Sequence, residues 1–223
     1  MRAALWLVSA SLLASPVLAQ DADRSVKGGI TADGWKGKVD ARPASQGKTI
    51  NDSKFAAEGK ALRLSVGPAA TYWSDKNMAK GDYVVKATFK EHKMAASHPH
   101  SYGMVMAGAN MDGDTQSYAY CIAYGNGTFA IKYFNGPKVT TLIDKAPSDA
   151  LRRADANGES TNEIGWKVQG GKVSCMINGT AVKTFDRAEL VGDGKLASTD
   201  GAYGIRVSHN LELTVSDLVV SKP

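Results

Sequence analysis

The stretch from Gly81 to Gly136 constrains this chain more than any other, because it alternates with a period of two through four successive segments. In Asp82–Phe89, Tyr83, Val85, Ala87 and Phe89 share one face, and Lys86 and Thr88 share the other. Tyr102–Ala107 is apolar on both faces, as a central strand is. Tyr118–Tyr124 sets Tyr118, Tyr120, Ile122 and Tyr124 against Ala119, Cys121 and Ala123. Phe129–Phe134 sets Phe129, Ile131 and Tyr133 against Ala130, Lys132 and Phe134. Such alternation, rich in aromatic and β-branched residues, marks strands. Gly125-Asn126-Gly127 closes the last two into a hairpin, since Gly and Asn tolerate positive φ. One long polar interruption, Glu91–Ser101, holds three of the four histidines.

The rest of the chain repeats the pattern. Lys60–Val66, Val139–Ile143, Asn162–Gln169, Lys172–Ile177, Thr180–Phe185, Ala202–Val207 and Leu211–Val220 read as further strands, and Tyr72-Trp73 opens another extended piece. Gly170-Gly171 and Asn178-Gly179 are hairpin turns; the second suits a type I′ turn, which needs positive φ at both positions. Arg42–Asn51 reads as polar loop, and short helical turns are expected only at Ala150–Ala154 and Arg187–Val191. Roughly ten to twelve short strands with turns between them predict an all-β sandwich of two antiparallel sheets.

Arg2, the apolar run Ala3–Leu13 and Val17-Leu18-Ala19 have the three-part layout of a secretory signal peptide. The division expected is a signal peptide over 1–19, a flexible N-terminal arm over 20–33 and a β-sandwich domain over 34–223, with the protein periplasmic or secreted. No later run reaches the ~20 apolar residues of a membrane-spanning helix. The 27 basic and 22 acidic residues are dispersed, with no basic run, so nucleic acid has no footprint here. Phosphate-loop, nucleophile-elbow, HExxH, CxxC and dinucleotide fingerprints are all missing, so no cofactor is expected. Nothing in the sequence sets an oligomeric state.

Several segments resemble the concanavalin A-like jelly roll: Gly81-Asp82-Tyr83-Val84-Val85, Tyr102-Gly103-Met104-Val105, Tyr118-Ala119-Tyr120, the hairpin ending Ile177-Asn178-Gly179, Ala202-Tyr203-Gly204-Ile205 and Val215-Ser216-Asp217-Leu218-Val219-Val220. Within that superfamily the chain is most similar to the laminin-G-like, 3-keto-disaccharide hydrolase-like domains of secreted bacterial proteins. The resemblance covers about Trp35 to Val220. It implies a sandwich that binds a glycan or small sugar, or alternatively a glycoside hydrolase or lyase acting on 3-keto-disaccharides. The E-x-D-x-x-E run of the superfamily's glycanases has no counterpart, because Glu58, Glu91, Glu159, Glu163, Glu189 and Glu212 stand isolated. A retaining glycosidase needs two carboxyl groups about 5–5.5 Å apart. The reading is therefore a carbohydrate-binding domain with no catalytic residue assigned.

Tyr72, Trp73, His98, His100 and Tyr102 are the ligand-binding candidates, expected at the rim of one concave face. Aromatic rings stack on sugar rings, and residues i and i+2 of an extended segment point the same way. No metal is assigned. His98, His100, Asp112 and Asp114 are the residues that would hold one, and a polar loop satisfying its own backbone is the alternative. Cys121 and Cys175, the only cysteines, are expected to form a disulfide within the core; two separate buried thiols are the rival reading.

Overall fold

The structure is a computed structural model that describes residues 21–223; the expected signal peptide lies outside them. Strands follow one another as β1 (Gly29–Ile30), β2 (Trp35–Val39), β3 (Lys54–Glu58), β4 (Ala61–Ser65), β5 (Ala70–Ala79), β6 (Tyr83–Glu91), β7 (Ser101–Ala109) and β8 (Ser117–Tyr124). Then come β9 (Thr128–Asn135), β10 (Lys138–Pro147), β11 (Ser160–Gln169), β12 (Lys172–Ile177), β13 (Thr180–Asp186), β14 (Gly201–Val207) and β15 (Glu212–Ser221). Two short helices, α1 (Ala41–Ser45) and α2 (Arg187–Leu190), complete the set with a 3₁₀ turn at Ile50–Asp52. The segment Ala150–Ala154, expected to turn helically, is irregular. Its backbone bonds to distant groups instead: Ala154 N–H donates to Gly125 O and Arg152 N–H to Asn162 Oδ1.

The strands form two sheets. One has eight strands in the order β1-β3-β4-β15-β6-β11-β12-β13, and the other has seven in the order β10-β9-β8-β7-β14-β5-β2. All pairings are antiparallel except β1 with β3. The alternation of Tyr83, Val85, Ala87 and Phe89 puts these side chains between the sheets, where they meet Tyr72, Tyr102, Met104, Ile131 and Trp166. Trp166 Nε1 donates to Met104 O at 3.0 Å, so β11 of one sheet is tied to β7 of the other through a buried bond. Cys121 and Cys175 are bonded, with Cα atoms 6.2 Å apart. The disulfide joins β8 to β12 and therefore crosses from sheet to sheet. It fits an oxidising compartment, and no described helix is long and apolar enough to cross a membrane.

The arm expected to be flexible is docked from Asp21 onward. Arg24 donates to Val66 O at 2.8 Å and Leu211 O at 2.7 Å, and pairs with Glu212 at 2.6 Å. Asn210 receives Arg24 N–H on Oδ1 and donates through Nδ2 to Ala22 O and Asp21. Polar composition alone misses this, because all these partners but Val66 lie 186 to 189 residues further along the chain.

Candidate functional site

The five ligand-binding candidates do not share a cleft. Tyr72 and Tyr102 point between the sheets and have no exposed surface. Tyr72 stacks on Phe55 at 4.6 Å, and Tyr102 on Phe89 at 5.6 Å; burial pushes both phenols up to about 12. In strands buried on both sides an aromatic is core whichever way it faces, so its residue type says nothing about ligand contact. Trp73, one residue on from Tyr72, points to the other face of the seven-stranded sheet. There it belongs to a second apolar cluster with Val105, Tyr118, Tyr120, Ile122, Tyr124 and Phe134. His98 and His100 sit at the opening end of β7.

The expected grouping of His98 and His100 with Asp112 and Asp114 fails for a simple reason. The histidines precede β7 and the aspartates follow it. A nine-residue strand at ~3.3 Å per residue separates its two flanking loops by roughly 30 Å. Asp112 instead forms an ion pair with Lys36 Nζ at 3.6 Å, and Asp114 lies exposed on the same loop.

A built depression does exist on the outer face of the seven-stranded sheet. It holds about 420 Å³ and is lined by Trp73, Asp75, Asn110, Met111, Asp112 and Thr115, among others. Lys36 Nζ reaches Asp75 at 2.7 Å as well as Asp112, so it ties the two walls together, and Lys38 Nζ donates to Gly113 O at 2.6 Å. The strand regularity breaks around it. The β7–β8 register shifts between Met106 and Ala109, and both partners of β14 shift between Ala202 and Gly204. Ala107 and Asn110 hold φ of 56° and 52°, left-handed values for residues with a Cβ. Bulges and strained backbone of this kind gather next to sites, where they re-aim side chains. The sequence offered Asp112 but not Asn110, and the bulges that aim both depend on a register shared with β14.

Beside the depression, the same face buries an ion pair. Arg206 on β14 forks onto both carboxylate oxygens of Asp40, its Nη1 to Oδ1 at 2.7 Å, and also donates to Thr71 Oγ1 at 3.1 Å. Its guanidinium lies over the rings of Tyr120 at 5.3 Å and Phe134 at 5.8 Å. Burial opposes the charge, but Asp40 outweighs that and keeps Arg206 protonated. Cross-strand from it stands Gly103, where a Cβ would fall 2.0 Å from Cys121 O.

At the opposite end, the histidines find a partner the sequence did not pair with them. Val207 pairs with Tyr102, Ser208 N–H donates to Ser101 O, and Ser101 N–H to Ser208 Oγ, which brings His209 across from His100. The His100 and His209 rings are 4.4 Å apart, and His98 is 5.2 Å from His100. His100 Nε2 is 3.2 Å from Asp21 Oδ2. His209 Nδ1 is 2.7 Å from Asp23 Oδ1, yet off the line a hydrogen bond needs. Burial, reinforced by His209 and opposed by Asp21, pushes His100 down to about 4, so its ring is neutral at pH 7.

Between the sheets, Glu91 has no exposed surface. Its Oε2 accepts from Ser160 Oγ at 3.4 Å, its Oε1 has no hydrogen bond, and burial pushes the carboxyl up to about 7. The folded state thus keeps a proton that the unfolded chain releases in the ordinary carboxylate range, and this costs stability as pH rises from about 4.5 to about 7. At about 1.4 kcal/mol per pH unit the full effect is roughly 3 kcal/mol. Urea unfolding of the wild type and Glu91→Gln at pH 5 and pH 8 checks this: the variant gains on the wild type by roughly that amount at the higher pH. Equal differences at both pH values contradict it.

No protein-family model matches the chain, and no curated protein matches it. Solved structures do. A carbohydrate binding module from Bacillus subtilis aligns over 86% of this chain and 98% of its own at 7% identity, with a TM-score of 0.57. A Bacillus subtilis protein of unknown function with a galectin-like fold aligns over 84% and 89% at 15% identity, TM-score 0.55. An endo-β-1,3-glucanase from Pyrococcus furiosus aligns over 81% and 85% at 12% identity, TM-score 0.50. The two stacked sheets of eight and seven strands, matched over most of the chain by these structures, make this protein a concanavalin A-like jelly-roll sandwich.

Proposed function

We propose that this is an exported carbohydrate-binding domain that takes a sugar in the depression lined by Trp73, Asn110 and Asp112. The observation that carries the reading is the depression itself: a largely buried tryptophan, carboxylates, an amide and a hydroxyl line it where three register shifts meet. Sugars are recognised by an apolar ring face together with directional polar groups around the hydroxyls. The fold shared with a carbohydrate binding module supports this choice of ligand class, and the disulfide supports export. Binding is favoured over hydrolysis, including the hydrolysis or elimination of 3-keto-disaccharides, by the position of Glu91. A general acid needs a carboxyl titrating near neutral pH and within reach of the glycosidic oxygen. Glu91 has the titration but is sealed between the sheets.

A glycan array with the described chain, followed by calorimetry on the best hit, tests the proposal. Asp75 and Asp112 are well exposed, so Asp75→Ala/Asp112→Ala keeps the fold. The double variant is expected to lose about tenfold or more in affinity, with an unchanged melting temperature; each lost charged hydrogen bond is worth about 1.5–3 kcal/mol. Glycan binding that survives this substitution, or none at millimolar sugar, overturns the assignment.

A further inference from the structure

We infer that His98, His100 and His209 form a binding site for one divalent transition-metal ion of the zinc class, with Asp21 and Asp23 holding the rings or completing the ligand set. It lies at the far end of β7 from the sugar depression and does not depend on that reading.

The ring nitrogens offered by the three histidines all lie within 4.8 Å of one another. Two imidazole nitrogens on one Zn²⁺, each at about 2.0–2.1 Å, are at most about 4.2 Å apart. A small ring rotation closes that gap, and His98, exposed on its loop, is free to supply it. Three imidazoles at this spacing present converging nitrogen donors, and such borderline donors select zinc, copper or nickel over calcium or magnesium.

The aspartates strengthen the assignment. Ligating histidines commonly give their second ring nitrogen to a carboxylate, which fixes ring orientation. Asp21 stands 3.2 Å from His100 Nε2 and Asp23 stands 2.7 Å from His209 Nδ1, which leaves the other nitrogen of each ring for an ion. His209 Nδ1 is buried without a hydrogen bond, and a small turn of the ring that brings its other nitrogen onto an ion would align Nδ1 with Asp23. A pocket of about 460 Å³ opens beside His209, between Asp23, Asp40 and Lys48, and gives the ion a way in. The donors come from three segments distant in sequence: the arm, the loop before β7 and the β14–β15 corner. The ion would fasten the arm to the sandwich.

The test is zinc binding by untagged protein stripped with EDTA and dialysed, read by calorimetry and by elemental analysis. The expected result is about one Zn²⁺ per chain at pH 7.5, a raised melting temperature with metal, and Co²⁺ absorption typical of a four-coordinate site. His98→Ala, an exposed position that leaves the core intact, and His209→Ala each weaken binding at least tenfold. Asp23→Asn weakens it about 10- to 100-fold if it orients the ring. Substoichiometric zinc, or one equivalent that His98→Ala and His209→Ala both leave unchanged, overturns the proposal, the latter by placing the metal elsewhere.

Discussion

Removing the Cys121–Cys175 bond lowers the unfolding free energy by about 4 kcal/mol. The bond closes 55 residues (175 − 121 + 1), a loop for which the lost denatured-chain entropy gives about that figure. Its position adds a second consequence. The bond spans the two sheets from β8 to β12, the strand beside the β13 edge, and lies next to Trp166, which pairs with Cys175 along β11 and β12. Cys121→Ala/Cys175→Ala therefore also leaves space among residues with no exposed surface, and such core truncations add to the loss. Urea unfolding of the double variant beside the wild type, with and without reductant, measures it. The wild type in reductant should approach the variant. A difference below about 1 kcal/mol would show that the two sheets do not need this tie.

The second large effect is electrostatic. Asp40→Ala leaves the Arg206 guanidinium buried over Tyr120 and Phe134 with only Thr71 to receive it. Breaking a buried pair by deleting one partner costs about 3–5 kcal/mol. Asp40 is the more exposed partner, at 27% against 9% for Arg206, so water returns to the gap and the lower end is expected. Deleting both charges as Arg206→Met/Asp40→Ala should cost less than the sum of the single variants, because no orphaned charge remains. A strictly additive cycle in denaturant unfolding contradicts the coupling.

What the sequence disclosed was whatever depended on near neighbours. The hairpins β8–β9, β11–β12 and β12–β13 are set by Gly125–Gly127, Gly170-Gly171 and Asn178-Gly179, and each turn lies inside the hairpin it makes. Cys121 and Cys175 were legible because each shares a strand face with small or apolar core residues. The candidate sites were not legible, since both are assembled by β14. Its pairing with β7 puts His209 beside His100, and its bulge at Ala202–Gly204 shapes the depression near Trp73. No local pattern around Ala202–Val207 says which strands it will lie between. Tyr72 and Tyr102 misled for the complementary reason: a strand covered on both sides shows the same aromatic residues whether they face ligand or core.

The placement of β14 and β15 also governs how the molecule can come into being. β14 lies between β5 and β7, and β15 between β4 and β6, so both sheets take a central strand from residues 201–221. Until those residues arrive, a growing chain has four unpaired strand borders at the two gaps, two in each half-built layer. Local hairpins can form early, but the sandwich closes in one late, long-range event, which belongs to the slow, millisecond-to-second class of all-β folding. Throughout that interval the bare borders are open to pairing with other chains. A cell making this protein has reason to keep it extended, or escorted, until its last two strands are free to insert.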